Sequence, residues 1–313
     1  MIRTLPNVSV ILPNYNHARF LKQRIESILC QTFQDFELII LDDASTDNSR
    51  QIIEQYRHHP KVSRIIYNRR NSGSPFKQWN KGIQVAQGKY IWIAESDDYC
   101  KEDLLSTLIT LFDKNAEIGI AYCRSAFIDE NNNFLYDDIQ RNSCFIANLW
   151  NSDFFMYGKE AITKYLYKLN IIPNTSSVIF SKSIFQKIGG APTNMRQCGD
   201  WWVWIKMLTQ SNLAYSAKQL NFFRIHSHTT RILDTPEKIM QRVKEEIIIN
   251  QLLMNYIENV ELTQEKQRLI SLWIELQLKY KPIIGTLLAC PAGYNFFTYW
   301  REILGYLRYL KIS

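Results

Sequence analysis

The apolar residues of the first hundred positions follow two alternating patterns. Short, almost unbroken apolar runs at residues 8–13, 36–43, 64–67 and 90–94 each predict a buried strand. The segments between them, such as residues 20–31, carry apolar residues three and four apart, which predicts helices. Apolar strands joined by helices are typical of α/β proteins, so we expect a mostly parallel central sheet with helices on both faces.

The alternation of apolar strands and amphipathic helices becomes less regular after residue 101, and near residue 235 only helical patterns remain. Residues 118–138 predict strands around an Asn-rich turn, and a further strand is expected at residues 176–182. From residue 235 onward the chain predicts amphipathic helices. The expected domains are therefore an α/β domain at residues 1–234 and a C-terminal helical extension at residues 235–313.

Composition is that of a globular protein, with 46% hydrophobic and 21% charged residues among 313. The net charge of +7 favours anionic ligands, but the basic residues form no block, so nucleic acid is not an expected partner. The six cysteines contain no CxxC pair, which argues against a zinc site and is typical of a reducing, cytoplasmic protein. The N-terminus shows no apolar signal-peptide core.

The last thirty residues are aromatic and basic. The uncharged run at residues 282–300 is about as long as a membrane span, but its two prolines, two glycines and Asn295 argue against crossing. Two interpretations of residues 299–311 stay open. They form either an interfacial helix, giving peripheral contact with the inner face of the plasma membrane, or a helix packed on the main domain.

Acidic side chains stand where two of the predicted strands end. Asp42 and Asp43 close the second strand, and Glu95, Asp97 and Asp98 follow the fourth. Parallel strands end at one edge of a sheet, where α/β proteins bind ligands, so these acids should border one crevice. Crowded carboxylates repel, and Mn²⁺ or Mg²⁺ with a phosphorylated ligand would relieve that repulsion. The alternative is a set of solvated acids that cap helices.

The stretch "VSVILPNYNHARFLKQRIESILCQTFQDFELIILDDASTDNS" resembles the opening of family-2 glycosyltransferases with the GT-A (Rossmann-like) fold. "NSGSPFKQWNKGIQVAQGKYIWIAESDD" continues the likeness, which covers about residues 6–230. The resemblance implies a nucleotide-binding half at residues 1–100 and an acceptor-binding half at residues 101–234. It also implies metal-dependent, inverting transfer of a hexosyl or N-acetylhexosaminyl group from a nucleotide-diphosphate sugar.

The resemblance assigns donor and metal roles to particular residues. Those implied to bind the donor are Pro13, Tyr15, Asn16, Asp42, Asp43 and Asp97. Asp98 is implied to hold the metal, and His226 in "FRIHSHTTR" to ligate the metal or contact the diphosphate, with Arg224 or Arg231 offsetting phosphate charge. Glu95 stands where many members have Asp. Arg70 and Lys77 follow the third strand and are further donor-binding candidates, with solvated surface charge as the alternative.

The acceptor side is expected around "CGDWWVW". The family usually has Glu-Asp here, and Gly199 replaces the first acid. The resemblance implies that Asp200 is the general base, which takes the proton of the acceptor hydroxyl; helix capping is its alternative role. Trp201 and Trp202 are expected near the acceptor sugar, although tryptophans at a helix start are often core residues.

The expected reaction is sugar transfer to a hydroxyl of a glycan or lipid-linked saccharide, in synthesis of a bacterial capsule, O-antigen or lipooligosaccharide. One alternative is a nucleotidyltransferase that activates sugar phosphates, although "LPNYNHARF" lacks the glycines of a phosphate loop. The other is a non-catalytic module that binds a nucleotide sugar. An Asp200 side chain directed away from the cleft would favour that module.

Overall fold

A computed structural model describes residues 5–142, 148–226, 235–258 and 260–280, with side chains up to Leu276. Ten strands are described: β1 Val8–Asn14, β2 Phe36–Asp42, β3 Val62–Tyr67, β4 Tyr90–Ile93, β5 Tyr99–Cys100, β6 Ile118–Ile128, β7 Phe134–Asp137, β8 Phe154–Met156, β9 Val178–Ser181 and β10 Asn212–Arg224. Ten α-helices are described: α1 Ala18–Leu29, α2 Ser49–Gln55, α3 Pro75–Val85, α4 Leu104–Lys114, α5 Asp138–Asn142, α6 Gly158–Ala161, α7 Lys182–Lys187, α8 Gly199–Leu208, α9 Pro236–Met254 and α10 Val260–Tyr280.

The chain divides into two compact units. The first contains Met1–Asn194 and Val203–Ser227, and the second contains Met195–Trp202 and His228–Ser313. The short segment Met195–Trp202, which carries Asp200, therefore groups with the C-terminal helices. The domain boundary expected at residue 234 stays a prediction.

All ten strands belong to one sheet in the first unit, in the order β3-β2-β1-β4-β9-β6-β10-β5, with β7 beside β6 and β8 beside β10. Strands β1 to β4 are mutually parallel, as the apolar runs predicted, and β6 and β10 are also parallel. Strand β9 runs antiparallel between β4 and β6. The pairing β1–β2 sets Asn14 opposite Asp42, so the carboxyl ends of these neighbouring strands form one edge.

Apolar burial explains why these segments form the sheet. Every residue of β1 and β2 is buried, and helix α1 packs Phe20, Leu21, Ile25 and Ile28 into the same core. Each fully buried side chain of this size stabilises the fold by about 1.5–3 kcal/mol relative to exposure. At the amino ends of the strands, a Cβ on Gly88 would lie 2.5 Å from the Ser9 backbone nitrogen, so only glycine fits there.

The second unit has its own apolar core where α9 packs against α10. Met240, Val243 and Ile247 of α9 meet Leu269 and Trp273 of α10. The buried Asn250 side chain donates a hydrogen bond to the Leu262 carbonyl (3.1 Å), which links the two helices. The predicted amphipathic helices are therefore present, and no helix among the described residues is long and apolar enough to span a bilayer. Residues 299–311, with both of their interpretations, lie outside the described residues.

Candidate active site

The loop that follows β4 carries the predicted acidic motif and is held at both ends by the sheet. Strand β4 leads into Glu95, and the two-residue strand β5 pairs with β10 directly after Asp98. Asp98 is buried and accepts hydrogen bonds from the Asn174 side chain (3.0 Å) and the Arg224 backbone amide (2.9 Å). Burial, with the nearby charge of Asp97, raises the pKa of Asp98 to about 6.

A second group of side chains meets beside this loop. His17 follows β1, Asp97 lies in the acidic loop and His226 follows β10, and one potential ligand atom from each lies within 4.8 Å of the others. His226 Nε2 lies 3.1 Å from Asp97 Oδ2, and His17 Nδ1 lies 2.8 Å from the hydroxyl of Ser96. Burial raises the pKa of Asp97, but the hydrogen bond from His226 and the charges of the two histidines outweigh it and lower the pKa.

The donor set of His17, Asp97 and His226 fits a divalent metal ion. Within the described residues it is the one group of His, Cys, Asp or Glu side chains arranged to hold a metal. Imidazole nitrogen with carboxylate oxygen suits Mn²⁺ and later first-row ions, whereas Mg²⁺ prefers oxygen ligands alone. The arrangement can therefore bring a cation to the strand ends where Asp42 and Asp43 also lie.

The two aspartates after β2 are saturated by donors of the chain itself. Asp42 is fully buried and accepts from the Asn14 side chain (3.1 Å), the Ser45 amide (3.2 Å) and Arg50 Nε (3.2 Å). Asp43 accepts from the side chains of Asn68, Ser72 and Gln78 and from the Ser72 amide. Asn68 and Ser72 lie between β3 and α3, and Gln78 lies in the first turn of α3. The carboxylate of Asp43 thus fixes the conformation of that segment.

The sequence profile of the family described as Glycosyl transferase family 2 matches residues 9–189, which is more than half of the chain. The chain belongs to glycosyl transferase family 2. This family member is 39% identical to the putative teichuronic acid biosynthesis glycosyltransferase TuaG of Bacillus subtilis over 100 residues, which are 32% of this chain and 39% of TuaG. Among the first curated relatives that it matches, the alignments span between 35% and 66% of their length.

Solved structures share the fold of this family member. S. aureus TarS in complex with UDP-GlcNAc superposes with a TM-score of 0.62 at 17% identity, covering 89% of this chain and 74% of TarS. The mannosyltransferase PcManGT from Pyrobaculum calidifontis, in complex with GDP-Man and Mn²⁺, gives a TM-score of 0.58 at 15% identity, covering 99% of this chain and 82% of PcManGT. The GT-A fold implied by the sequence resemblance is confirmed.

The predicted metal ligands were Asp98 and His226. His226 is in the cluster, where the carboxylate is that of Asp97, and both oxygens of Asp98 accept hydrogen bonds within the fold. Metal binding by Asp98 stays a prediction. His17 was not predicted. Its signal in the sequence was its place in "NYNHA", directly after the first strand, on the same edge as the acidic loop.

Glu95 lies outside the metal cluster and accepts a hydrogen bond from Trp79 Nε1 (3.1 Å). Burial and the charge of Asp97 raise the pKa of Glu95 to about 8. The cation that compensates these acids lies beneath them. The fully buried Arg24 stacks its guanidinium 5.0 Å from the Trp92 ring, and its charge opposes the rise in the pKa values of Glu95 and Asp98.

Arg224, a predicted phosphate partner, is buried and joins several chain segments through hydrogen bonds. Its contact with phosphate stays a prediction. Its guanidinium donates to the Asp97 carbonyl (2.7 Å), the Asp129 carbonyl (3.1 Å) and the side chains of Gln23 (3.0 Å) and Asn132 (2.8 Å). These contacts fix the backbone of the acidic loop. Arg231, the other predicted phosphate partner, lies outside the described residues.

The remaining donor candidates lie at the same edge of the sheet. Pro13 is buried within β1, Tyr15 is 44% exposed, and Asn16 adopts a left-handed conformation (φ 57°) while its side chain accepts from the Thr46 amide (2.7 Å). The structure thus brings the ends of β1 and β2 together. Two candidates follow β3: Lys77 donates to the Ser72 carbonyl (3.1 Å), and Arg70 is exposed. Their contact with the donor stays a prediction.

The predicted base and acceptor residues lie in the second unit. Asp200 is buried in the first turn of α8, and its carboxylate accepts from the Trp201 amide (2.7 Å). The Trp202 amide donates to the Cys198 carbonyl (3.0 Å), so the helical hydrogen bonds begin at Cys198, and Asp200 lies two residues inside the cap. Trp201 is buried and Trp202 is partly buried. The roles of all three residues stay predictions.

Proposed function

We propose that this glycosyltransferase moves a hexosyl or N-acetylhexosaminyl group from a nucleotide-diphosphate sugar to a hydroxyl, with inversion at the anomeric carbon. The observation that carries the proposal is the cluster of His17, Asp97 and His226 at the same sheet edge as Asp42 and Asp43. TarS and PcManGT, which share the fold, are described with UDP-GlcNAc and with GDP-Man and Mn²⁺.

The donor half of the proposal uses the acidic edge. Asp97, His226 and His17 would hold Mn²⁺ or Mg²⁺, which supplies Lewis-acid neutralisation of the leaving diphosphate. Asp43 and the segment from Asn68 to Gln78 that it orders would border the nucleotide, together with Tyr15 and Asn16. Asp98 holds the acidic loop in place, because its carboxylate accepts hydrogen bonds from the Asn174 side chain and the Arg224 amide.

The acceptor half of the proposal rests on Asp200. A sugar hydroxyl is a weak nucleophile at neutral pH, so Asp200 takes its proton while the new C–O bond forms and the bond to the diphosphate breaks. Attack from the face opposite the leaving group inverts the configuration of the anomeric carbon. Trp201 and Trp202 offer apolar faces next to this base for the acceptor ring.

The proposed acceptor is a bacterial surface glycan or its lipid-linked precursor. The likeness to TuaG, described as a putative teichuronic acid biosynthesis glycosyltransferase, supports this class of acceptor. Contact of residues 299–311 with the cytoplasmic face of the membrane stays a prediction from their aromatic and basic composition.

A donor screen tests the proposal. UDP-glucose, UDP-galactose, UDP-GlcNAc and GDP-mannose are each supplied with Mn²⁺ or Mg²⁺, with and without free hexoses as acceptors, and release of the nucleoside diphosphate is measured. We expect metal-dependent release from one donor. Asp200→Asn should retain donor binding, measured by calorimetry, and lose turnover. Donor binding without turnover in the unchanged protein would instead support the non-catalytic module.

A further inference from the structure

Glu245 of helix α9 carries a buried carboxylate that the proposed mechanism does not use. Its side chain is 1% exposed, and glutamates are rarely buried to this degree without compensating partners. The partners are three consecutive backbone amides and the Gln241 side chain, whose Nε2 donates to Oε1. Oε1 accepts from Arg196 (2.7 Å), and Oε2 accepts from Gln197 (2.8 Å) and Cys198 (2.7 Å). Hydrogen bonds to an ionised acceptor are about twice as strong as neutral ones.

These three amides lead directly into the helix that carries the proposed base. The helical hydrogen bonds of α8 begin at the Cys198 carbonyl, and Asp200 follows two residues later. The amides of Arg196 and Gln197 precede α8, and the Cys198 amide lies at its N-cap, where the helix offers it no acceptor. Here the acceptor comes from α9, between 47 and 49 residues further along the chain.

A second contact holds the same segment against α9. The Gln197 side chain donates to the Lys238 carbonyl (3.0 Å). Lys238 and Glu245 are seven residues apart, which is two helical turns, so both contacts use one face of α9. The segment before Asp200 is therefore fixed at two points spaced along a helix that has its own core with α10.

We propose that Glu245 is a positioning residue that fixes the backbone of residues 196–198 and thereby the place of the Asp200 carboxylate. The inference rests on the proposed role of Asp200 as the base. A general base works only within hydrogen-bond reach of the hydroxyl, and a displacement of about 1 Å can reduce the rate about 100-fold. The C-terminal helices then contribute to turnover without a residue of α9 contacting substrate.

Hydrogen exchange of the full chain tests the structural part. Glu245→Gln keeps the size of the side chain but sets an amide NH₂ against a backbone NH, so at least one of the three hydrogen bonds is lost. We expect the amides of residues 196–198 to exchange at least about tenfold faster. Glu245→Asp, which keeps the charge but shortens the arm by one methylene, should show a smaller increase. The control Asn250→Ala removes a buried hydrogen bond elsewhere on α9 and should leave this segment protected.

Turnover separates positioning from general stability. With the donor that the screen identifies, Glu245→Gln should lower kcat about 100-fold and leave the KM for the donor within about twofold. Asn250→Ala, assayed at the same number of degrees below its melting temperature as Glu245→Gln, should keep kcat within about threefold of the unchanged protein. Adding Glu245→Gln to Asp200→Asn should cause no further loss, because both changes remove the same base.

Three results would overturn the inference. They are an equal loss of kcat in Glu245→Gln and Asn250→Ala, unchanged exchange at residues 196–198, and a loss in the double variant that multiplies the two single losses. The proposed function fails separately. Full turnover by Asp200→Asn would remove Asp200 as the base, whereas an inactive Asp200→Asn beside a normal Glu245→Gln would reject only the role of Glu245.

Discussion

The carboxylate of Asp98 accepts a hydrogen bond from the backbone amide of Arg224, 2.9 Å away and 126 residues later in the chain. The Arg224 guanidinium returns a hydrogen bond to the carbonyl of Asp97 (2.7 Å). This pair locks the acidic loop to the end of β10, two residues before His226. The positions of Asp97 and His226 in the candidate metal cluster therefore depend on the hydrogen bonds between Asp98 and Arg224 and between Arg224 and Asp97.

The first prediction separates the two adjacent aspartates. Asp98→Ala should lower the free energy of unfolding by about 2–4 kcal/mol, because the Asn174 and Arg224 donors lose a buried acceptor. Asp97→Ala should change it by less than about 1 kcal/mol, since Asp97 is only partly buried, but should abolish Mn²⁺ binding. Denaturant unfolding and Mn²⁺ titration by electron paramagnetic resonance measure both. If Asp98→Ala kept the free energy of unfolding but lost Mn²⁺ binding, Asp98 would be a metal ligand.

The second prediction concerns the histidines of the cluster. His17→Ala and His226→Ala should each weaken Mn²⁺ binding by more than about tenfold, since even outer-shell partners are worth that much. Mn²⁺ should bind more tightly than Mg²⁺, because two of the three ligand side chains offer nitrogen. Isothermal titration with each metal tests this. The exposed His58→Ala serves as the control, and unaltered Mn²⁺ affinity in His17→Ala would remove His17 from the site.

The third prediction uses two neighbouring carboxyls with opposite pKa shifts. Burial raises the pKa of Asp138 to about 7. Burial also acts to raise the pKa of Asp137, but the hydrogen bonds from Arg124 and the Gln140 amide, together with the charge of Arg124, outweigh it and lower the pKa. Between about pH 4 and 7 the folded state binds a proton at Asp138 that the unfolded state releases. The free energy of unfolding should therefore fall as pH rises, by up to about 1.4 kcal/mol per unit.

Asp138→Asn should remove the part of that fall that Asp138 contributes, because an amide can still accept from the Ser125 amide but does not ionise. The raised pKa values of Glu95 and Asp98 leave a smaller fall in this variant. Asp137→Asn should act in the opposite direction. It lowers stability above about pH 4, where the carboxylate is charged in both states, and the loss disappears as pH falls through the lowered pKa. Denaturant unfolding at several pH values tests both. A wild-type pH slope in Asp138→Asn would contradict the assignment.

The fourth prediction concerns the segment that Asp43 orders. Asp43→Asn turns an amide NH₂ toward the Ser72 amide and the Gln78 side chain, which donate to the carboxylate. The loss of these hydrogen bonds should raise the dissociation constant for the nucleoside diphosphate of the donor that the screen identifies about tenfold or more, a change of about 1.4 kcal/mol. Calorimetry with that nucleoside diphosphate and Mn²⁺ measures it. The control is Asp113→Asn on the exposed face of α4, and an equal effect there would reject the role of Asp43.

The apolar patterns of the sequence predicted the strands and helices of the first hundred residues, because these depend on short stretches of chain. The four apolar runs became β1 to β4, in parallel, because an unbroken apolar strand must be covered on both faces. The antiparallel insertion of β9 and the pairing of β6 with β10 were not predicted. Both depend on which neighbour offers free backbone hydrogen-bonding groups, and no short stretch of sequence specifies that partner.

The site divides in the same way. The sequence by itself determined the family, the acidic strand ends and the involvement of His226, because these follow from residue order along single strands and from quoted motifs. Only the tertiary structure showed that the side chains of His17 and Asp97 lie beside that of His226. It also showed that Asp98 and Arg224 hydrogen-bond to one another's segments. The same holds for the hydrogen bonds that Glu245 accepts from the segment before Asp200. Adjacent carboxylates are equivalent in a motif, and what distinguishes them is the direction of each side chain and the donors that distant segments bring to it.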